Sequence, residues 1–325
     1  MSDMFPKPRL DDDQHGAQID NAAASLVMEN GQTATETGDA DSTPDIIEIA
    51  KRFADMTMMP CIQLKAVRRP TSVFDSKFGG TPYLPPGFEY PRNKNPNGTQ
   101  QPLKLLAQLN FATLPQVDWF PTQWFPAKGI LQFYITNEPD EDAYGVDFDD
   151  PTNQQGFRVV YHENVIDDVS QLQQPPRMPD GDLDSFPFTG EFGLDATVAR
   201  MPMSTVDYRF DSLFKVCLGA VAPPHRIGRT IDAVKSYFDS QYSWEGHRIG
   251  GYPFFTQYDP RDYDAGGAAT FPQMLLQIDT DGEGPDQIMW GDAGVANFFV
   301  DSPMPIAGSP GPYDLFRVMY AWDCH

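Results

Sequence analysis

At 325 residues, with 40% hydrophobic and 13% aromatic residues, the chain can form one large domain or two ordinary ones with a sizeable core. A formal charge of −23 without a basic stripe argues against a nucleic-acid partner and against an anionic membrane surface. The 31 prolines and 26 glycines argue against a helical bundle and favour short strands joined by turns.

The cysteines and the N-terminus indicate a cytoplasmic protein. The 3 cysteines are far apart and lack Cys-x-x-Cys spacing, so neither a disulfide framework nor structural zinc is expected. No segment approaches the roughly 18 apolar residues that span a bilayer, and no secretion signal is recognisable. Motifs for nucleotide binding and serine hydrolysis are absent, so no cofactor is predicted.

Two regions differ in composition. Residues 1–43 are acidic and poor in large apolar side chains, which predicts a disordered tail. Residues 44–325 are predicted to form a single domain that opens with a helix, because Thr43 can cap it and Pro44 suits its first turn. The apolar stripe of this helix consists of Ile46, Ile49, Ala50 and Phe53.

Beyond a predicted strand at Cys61–Val67, four short sequence blocks each occur twice, in the same order. The offset between copies falls from 171 to 159 positions, as expected if the second copy has shorter loops. Four matches in one order predict an internal duplication, with repeats at about 71–170 and 243–325. The matched blocks are Phe78–Tyr83 with Ile249–Phe254, Leu105–Asn110 with Met274–Asp279, Gly129–Ile135 with Gly294–Val300, and Phe157–Tyr161 with Phe316–Tyr320.

The connecting segment, 171–242, is rich in proline and aspartate. It contains two strand-like stretches, Ala196–Met201 and Leu213–Val221, and a predicted helix at Thr230–Phe238 with apolar residues on one face. The predicted fold class is α+β: an internally duplicated, strand-rich core of two related halves around a pseudo-two-fold axis, with a few flanking helices.

Several of these motifs carry a family resemblance. Phe78-Gly-Gly-Thr-Pro-Tyr-Leu-Pro85, Leu106-Ala-Gln-Leu-Asn110, Asp147–Pro151 with Gly156–His162, Gly250–Pro253 and Met289-Trp-Gly-Asp-Ala-Gly294 resemble the YwqG-like family, bacterial proteins with a domain of unknown function. The resemblance covers roughly residues 45–325. It implies a cytosolic α+β protein of two related halves with no settled activity, and it supplies no catalytic residues.

Polar side chains recur at matching places in the predicted strands. A buried amide without a partner costs about 1–3 kcal/mol, so these side chains must find one. They either bond to the backbone and fix strand register, or they line a polar cleft between the halves and bind a ligand. The candidate ligand-binding residues of this kind are Gln108, Asn110, Gln132, Gln277, Asp279 and Asn297.

Two acidic loops are candidate cation sites. Asp279-Thr-Asp281-Gly-Glu283 has the alternating carboxylates of a calcium loop, but Trp290 stands where the closing glutamate belongs. A second acidic run covers 140–142 and 147–150. An exposed acidic turn is the simpler interpretation of both, and the candidate metal ligands are Asp279, Asp281 and Asp149.

The remaining candidates are two histidines and one turn. His247 and His162 could each act as a general base beside a carboxylate, or simply be hydrogen-bonded residues at strand ends. Trp290 and Asp292 could supply a stacking surface and an acceptor at the mouth of the cleft. His247, Trp290 and Asp292 complete the candidate ligand-binding set.

Three functions are consistent with these features. The preferred hypothesis is a non-enzymatic binding or protein-interaction module, with a small polar ligand or a protein as its partner. The alternative is a metal-assisted hydrolase that uses the acidic-loop carboxylates and a histidine base. A weaker alternative is an immunity or inhibitor protein whose acidic surface covers a basic toxin.

Overall fold

A computed structural model describes most of the chain beyond the predicted tail. The described residues are 46–93, 100–117, 125–137, 144–178, 185–218, 224–262, 271–301, 313–314 and 317–325. The predictions for 1–43 and for the acidic residues 140–142 lie outside these ranges. Within them, three α-helices occur: α1 (Ile46–Thr57), α2 (Phe210–Leu218) and α3 (Pro224–Gln241).

Eleven strands form one antiparallel sheet in the order β10-β5-β4-β3-β2-β6-β1-β7-β8-β9-β11. The strand-rich part of the predicted fold is therefore confirmed, and the strands belong to one sheet. Their bounds are β1 (Met59–Arg68), β2 (Lys77–Gly79), β3 (Lys104–Asn110), β4 (Ile130–Ile135), β5 (Phe157–His162), β6 (Glu191–Met201), β7 (His247–Gly250), β8 (Gln273–Asp279), β9 (Val295–Val300), β10 (Tyr313–Asp314) and β11 (Val318–Asp323).

The sheet curls into a nearly closed, barrel-like form whose two outer parts face each other. Phe133 on β4 packs against Phe298 on β9, with ring centroids 4.9 Å apart. Phe157 on β5 packs against Tyr320 on β11 at 5.2 Å. These rings belong to one apolar cluster that both parts of the sheet share. Burial of this cluster supplies the main driving force for folding.

The longest pairing in the sheet joins β1 to β6 at its centre. Its register runs from Met59 opposite Met201 to Arg68 opposite Phe192. On the other side, β1 pairs with β7 and β6 pairs with β2. The early strand β1 therefore lies beside the later strands β7, β8, β9 and β11, whereas β6 lies beside β2–β5.

The three helices pack together against the outside of the central strands. Phe53 of α1 contacts Phe210 and Phe214 of α2 with centroids 5.1 and 5.0 Å apart. The same apolar cluster contains Phe238 of α3. This packing confirms the docked first helix and the predicted helix around 230–238.

The predicted strand at Leu213–Val221 is wrong, because its described part belongs to α2. Phe210 and Phe214 are four residues apart and fall on one helical face. That face docks on α1, so tertiary packing selects the helix over a short apolar strand. By contrast, the stretch Ala196–Met201 lies within β6 as predicted.

A network of three buried charges and the partly buried Arg209 connects the segment after β6 to the loop after β7. Arg261 is fully buried and donates to Asp259 through Nε at 2.9 Å and Nη2 at 2.6 Å. Its Nη2 also lies 3.2 Å from Asp207, which pairs with Arg209 at 2.8 Å. Burial alone would raise the pKa of Asp207, but the two arginines outweigh burial and hold it at about 2.

Candidate functional site

Two rows of polar side chains cross the sheet at corresponding places. The first polar row consists of Lys77, Gln108 and Gln132, which lie directly opposite one another on β2, β3 and β4. The second polar row consists of Arg248, Gln277 and Asn297 on β7, β8 and β9.

Both rows lie on the outer face of the barrel. Side chains alternate along a strand, and the neighbours Phe78, Leu131, Phe133, Ile249 and Phe298 belong to the interior cluster. The amides therefore point away from the interior in which the two parts of the sheet meet. This placement corrects the expected cleft between the halves, because strand alternation turns the amides to the opposite side.

In the first polar row, Gln108 holds down the loop that follows β2. Its Oε1 accepts from the backbone N–H of Tyr83 at 2.8 Å, and its Nε2 donates to the carbonyls of Val73 and Asp75 at 2.9 Å. Lys77 is fully buried, and its ammonium donates to the carbonyls of Ser72 and Thr81. Burial lowers the pKa of Lys77 to about 8.

The far end of the first row is also fully bonded. Gln132 donates through Nε2 to the carbonyl of Tyr83 at 2.8 Å. Its Oε1 accepts from the hydroxyl of Tyr134 at 2.9 Å and lies 3.0 Å from Nε2 of His162. Since Oε1 can only accept, His162 Nε2 carries the hydrogen. Burial lowers the pKa of His162 to about 4, so the ring is neutral at physiological pH.

In the second polar row, Gln277 repeats the contacts of Gln108. Its Oε1 accepts from the N–H of Phe254 at 2.7 Å, and its Nε2 donates to the carbonyls of Trp244 and Gly246 at 2.9 and 2.8 Å. Each of these three backbone partners lies 171 positions after its counterpart beside Gln108. The amides thus form the backbone contacts foreseen by one of the two sequence interpretations.

The ends of the second row differ from those of the first. Asn297 donates to the carbonyl of Phe254 at 2.9 Å, but its Oδ1 is buried without a hydrogen-bond partner among the described residues. The corresponding positions explain this difference, since Phe299 stands where Tyr134 would supply a hydroxyl. Arg248 has only a contact from Nη1 to the sulfur of Met201 at 3.4 Å, while its Nε and Nη2 have no partner in the described chain.

Asp323 occupies the position on β11 that His162 occupies on β5. It lies opposite Val295, as His162 lies opposite Ile130. One carboxylate oxygen accepts from the N–H of Gln257 at 2.7 Å, and the N–H and hydroxyl of Thr256 also favour the charged form. Burial raises the pKa of Asp323 to about 6, so the carboxylate is only partly protonated near neutral pH.

Asn110 and Asp279, at the equivalent ends of β3 and β8, also form hydrogen bonds with backbone groups. Asn110 donates to the carbonyl of Phe74 at 2.8 Å. Asp279 accepts from the N–H groups of Gly246 at 2.6 Å and Thr280 at 2.8 Å. Both carboxylate oxygens of Asp279 are therefore engaged by backbone.

His247 faces the barrel interior, on the opposite side of β7 from Arg248. Its Nδ1 accepts from the N–H of Asp279 at 3.0 Å, and its Nε2 lies 3.5 Å from a carboxylate oxygen of Asp281. The edge of Phe78 packs against the ring with centroids 5.1 Å apart. Because Nδ1 accepts, Nε2 carries the hydrogen in this tautomer and faces Asp281.

The other predicted site residues are dispersed. Trp290 is fully buried, so its indole offers no stacking surface to solvent, whereas Asp292 is exposed in the predicted turn. Asp149 is exposed in a loop where Asp147 accepts from the N–H groups of 149 and 150. Among the residues with described positions, no three histidine, cysteine or acidic side chains gather as a metal ion would require.

Lys77, Arg248 and Asp323 did not figure among the residues selected from the sequence. For the first two a signal existed, since they lie 171 positions apart and each stands two residues before the glycine pair of its block. A cation at the same place in both copies of a strand marks a buried or functional charge, because lysine and arginine are rarely buried without a partner.

Comparison with protein families places this chain. The family model of DUF1963, a domain of unknown function, matches residues 76–324. The chain belongs to the DUF1963 family. A search of curated proteins finds no match. No helix in the described part of this DUF1963 protein is long and apolar enough to cross a membrane.

The DUF1963 match begins after two elements that the fold uses. Helix α1 and strand β1 precede residue 76, yet β1 fills the centre of the sheet between β6 and β7. Three of its side chains, Cys61, Ile62 and Leu64, are buried. The structural unit therefore extends N-terminal to the matched residues.

In the DUF1963 domain, replacing Gln277 by leucine should lower the free energy of unfolding by about 2–4 kcal/mol. The substitution leaves the N–H of Phe254 and the carbonyls of Trp244 and Gly246 without the amide that they contact. Urea denaturation measures the change. Gln241→Leu, at the exposed C-terminal end of α3, is the control and should change stability by less than about 0.5 kcal/mol. Equal effects of the two substitutions would contradict the structural role of Gln277.

Proposed function

We propose that this DUF1963 protein is a non-enzymatic binding module whose ligand site is the second polar row. The main support for this binding site is the contrast between the two rows. In the first row the ammonium of Lys77 donates to two carbonyls, and the oxygen and nitrogen of the Gln108 and Gln132 amides all bond to protein groups. In the second row Arg248 and Asn297 keep buried polar atoms that have no hydrogen-bond partner among the described residues.

Buried polar atoms of this kind favour a ligand over an empty space. An unsatisfied buried acceptor costs about 1–3 kcal/mol, and an unpaired buried charge costs more. In the first row, the corresponding strands β2, β3 and β4 bond these positions to groups of the protein itself. A bound ligand that completes these hydrogen bonds best explains why buried polar atoms lack described partners in the second row but not in the first.

The histidines and carboxylates support binding rather than hydrolysis. His162 uses Nε2 for a contact with Gln132, and His247 uses Nδ1 to accept from the N–H of Asp279, so both rings are held by structural contacts. Asp279 uses both oxygens for backbone N–H groups, and Asp149 lies in an exposed turn. The metal-assisted hydrolase and the inhibitor role remain predictions without a supporting contact in the described structure.

We further propose that the fold arose by internal duplication, with β1 and β6 included in the repeats. The ladder registers relate β1 to β6 and relate β2, β3, β4 and β5 to β7, β8, β9 and β11, around an axis between β1 and β6. A bulge also falls at the same place in each copy, between Leu105 and Ala107 and between Met274 and Leu276. The repeats would then begin earlier than 71 and 243, and α2 and α3 would be an insertion in the second copy.

One sequence match requires a shift under this proposal. Arg158 lies opposite Tyr134, and the residue opposite the corresponding Phe299 is Met319 rather than Arg317. The fourth block is therefore displaced by two positions, which keeps every side chain on the same face and hides the error from pattern matching. The YwqG-like grouping, the single domain at 44–325 and the cytoplasmic location belong to the same set of proposals.

Native mass spectrometry of the full chain, purified gently from cells, tests the binding function. The variant Arg248→Lys/Asn297→Gln gives the second row the residue types of the first. A non-covalently bound small molecule should be present on the wild type and lost from this variant.

The matched control is Lys77→Arg/Gln132→Asn, which makes the reverse change in the first row. It should keep the bound molecule even if its stability falls. Retention of the molecule by the second-row variant, or loss from both variants alike, would contradict the assignment of the site to the second row.

A further inference from the structure

The guanidinium of Arg248 presents a free bidentate edge. Its Nη1 contacts the sulfur of Met201, and Nε and Nη2 are the two nitrogens without a hydrogen-bond partner among the described residues. These two nitrogens share the edge of the planar group that carries two parallel N–H bonds. That edge is the one that pairs with carboxylate and phosphate oxygens, because its two donors match the spacing of two anionic oxygens.

Among the described residues, no carboxylate forms a salt bridge with Arg248. Asp279 influences the guanidinium through its charge, but its two oxygens accept from the N–H groups of Gly246 and Thr280. The thiol of Cys61 is buried, and burial raises its pKa, so it is neutral at physiological pH. Arg248 itself is 2% exposed and remains charged near neutral pH, since burial lowers its pKa only to about 10.

At the equivalent position of the first row, the buried charge is bonded to backbone carbonyls. Lys77 ends in a compact ammonium that donates to the carbonyls of Ser72 and Thr81. Arginine at the same place has a flat fork instead, and its two free donors point in one direction. The exchange of lysine for arginine replaces a group satisfied by backbone with one suited to an external pair of oxygens.

One described neighbour of Arg248 reaches solvent. Gln63, directly opposite Arg248 on β1, is exposed, whereas Cys61 and Met201 close the other side with apolar surface. Because the side chain of Arg248 is only 2% exposed, a ligand that pairs with its guanidinium must be small. Small size and two anionic oxygens are the properties that this geometry selects.

We propose that the Nε and Nη2 edge of Arg248 binds a small oxyanion, either a carboxylate or an inorganic oxyanion such as phosphate. This assignment names the ligand class of the proposed binding function and depends on that function for its location. Arg248 contacts the ligand directly.

Thermal melting of the full chain in different sodium salts tests the proposal. Acetate, phosphate and chloride are compared at equal ionic strength, and the probes are the salts themselves. At an anion concentration about tenfold above the dissociation constant, acetate or phosphate should raise the melting temperature of the wild type above its value in chloride by about 2–3 °C. A response to acetate alone identifies a carboxylate site, and a response to phosphate alone identifies an inorganic oxyanion site.

Two arginine-to-lysine variants separate this effect from general salt stabilisation. Arg248→Lys keeps the charge but removes the fork, and it should lose the extra rise. Arg52→Lys makes the same change at an exposed helix position and should behave as the wild type does. If Arg248→Lys responds as strongly as Arg52→Lys, or if the wild type responds to none of the oxyanions, the proposal is overturned.

NMR of the arginine Nε–H groups keeps the test decisive if Arg248→Lys does not fold. One buried Nε–H resonance of the wild type should move during titration with acetate or phosphate, while those of Arg209 and Arg261, already paired with carboxylates, stay in place. A spectrum in which no buried resonance moves overturns the oxyanion assignment. A bound molecule still lost from the second-row variant in native mass spectrometry would then leave the binding function standing with another ligand class.

Discussion

A chain that begins at Ser76, where the family match begins, is expected not to fold. It lacks β1, whose ten residues pair with β6 on one side and whose central part pairs with β7 on the other. Removing the strand leaves two exposed edges in the centre of the barrel-like sheet and deletes the buried side chains of Cys61, Ile62 and Leu64. Each large apolar side chain contributes about 1.5–3 kcal/mol, and a whole domain is stable by only about 5–15 kcal/mol.

Circular dichroism and size-exclusion chromatography of two fragments measure this effect. The fragment 76–325 should show no cooperative melting transition and should aggregate, because open strand edges pair with other chains. The fragment 44–325 keeps α1 and β1 and should melt close to the full chain. A compact 76–325 fragment with a cooperative transition would contradict the central place of β1.

Replacing Arg261 by methionine should lower the free energy of unfolding by about 3–5 kcal/mol. The substitution leaves Asp259 buried without its bidentate partner and takes one of two arginines away from Asp207. It also removes the cation that lies 4.2 Å above the ring of Phe299. Methionine fills most of the vacated volume, so the loss reports on charge rather than on a cavity.

Chemical denaturation at neutral pH measures this change against Arg69→Met. Arg69 pairs with Asp195 at 2.8 Å, but both side chains are exposed, and such pairs are worth about 0–1 kcal/mol. A loss at Arg261 no greater than the loss at Arg69 would indicate that the buried network contributes nothing beyond a surface ion pair.

Sequence analysis predicted several strands of this fold, but it did not predict which strands lie side by side in the sheet. The blocks that occur twice predicted β3 and β8 as one matching pair of strands and β4 and β9 as another. Their apolar alternation and their amides recur in the same order. The amides Gln108 and Gln277 were recognised as paired positions, and their backbone contacts match one of the two interpretations of that pairing. Local patterns carried this information, so sequence alone could supply it.

Sequence analysis could not predict that β1 lies beside β7 and that β6 lies beside β2. This arrangement depends on pairings between residues more than 100 positions apart, such as Ile62 with Val198, and no local pattern records them. The face of the amides was hidden for the same reason, since alternation gives two faces but not which one is the interior. The helix α2 was mistaken for a strand because a short apolar run fits both periods until its packing partner, α1, is known.

Sequence analysis could not identify the unpaired polar atoms of the second row, because only the contacts of a side chain show which of its atoms lack a partner. Asn297 and Gln132 carry the same functional group, and only their neighbours distinguish an unbonded oxygen from a bonded one. Arg248 and Lys77 are both cations, and only the carbonyls of Ser72 and Thr81 explain why one is satisfied and the other is not.

A high-resolution crystal structure of the full chain grown with acetate or phosphate is the most direct test of the account. We expect an ordered oxyanion within hydrogen-bond distance of both Nε and Nη2 of Arg248, and Lys77 on its two carbonyls with no such molecule. A protein carboxylate or carbonyl seated on that edge of Arg248 would contradict the claim that the second polar row is open to a ligand.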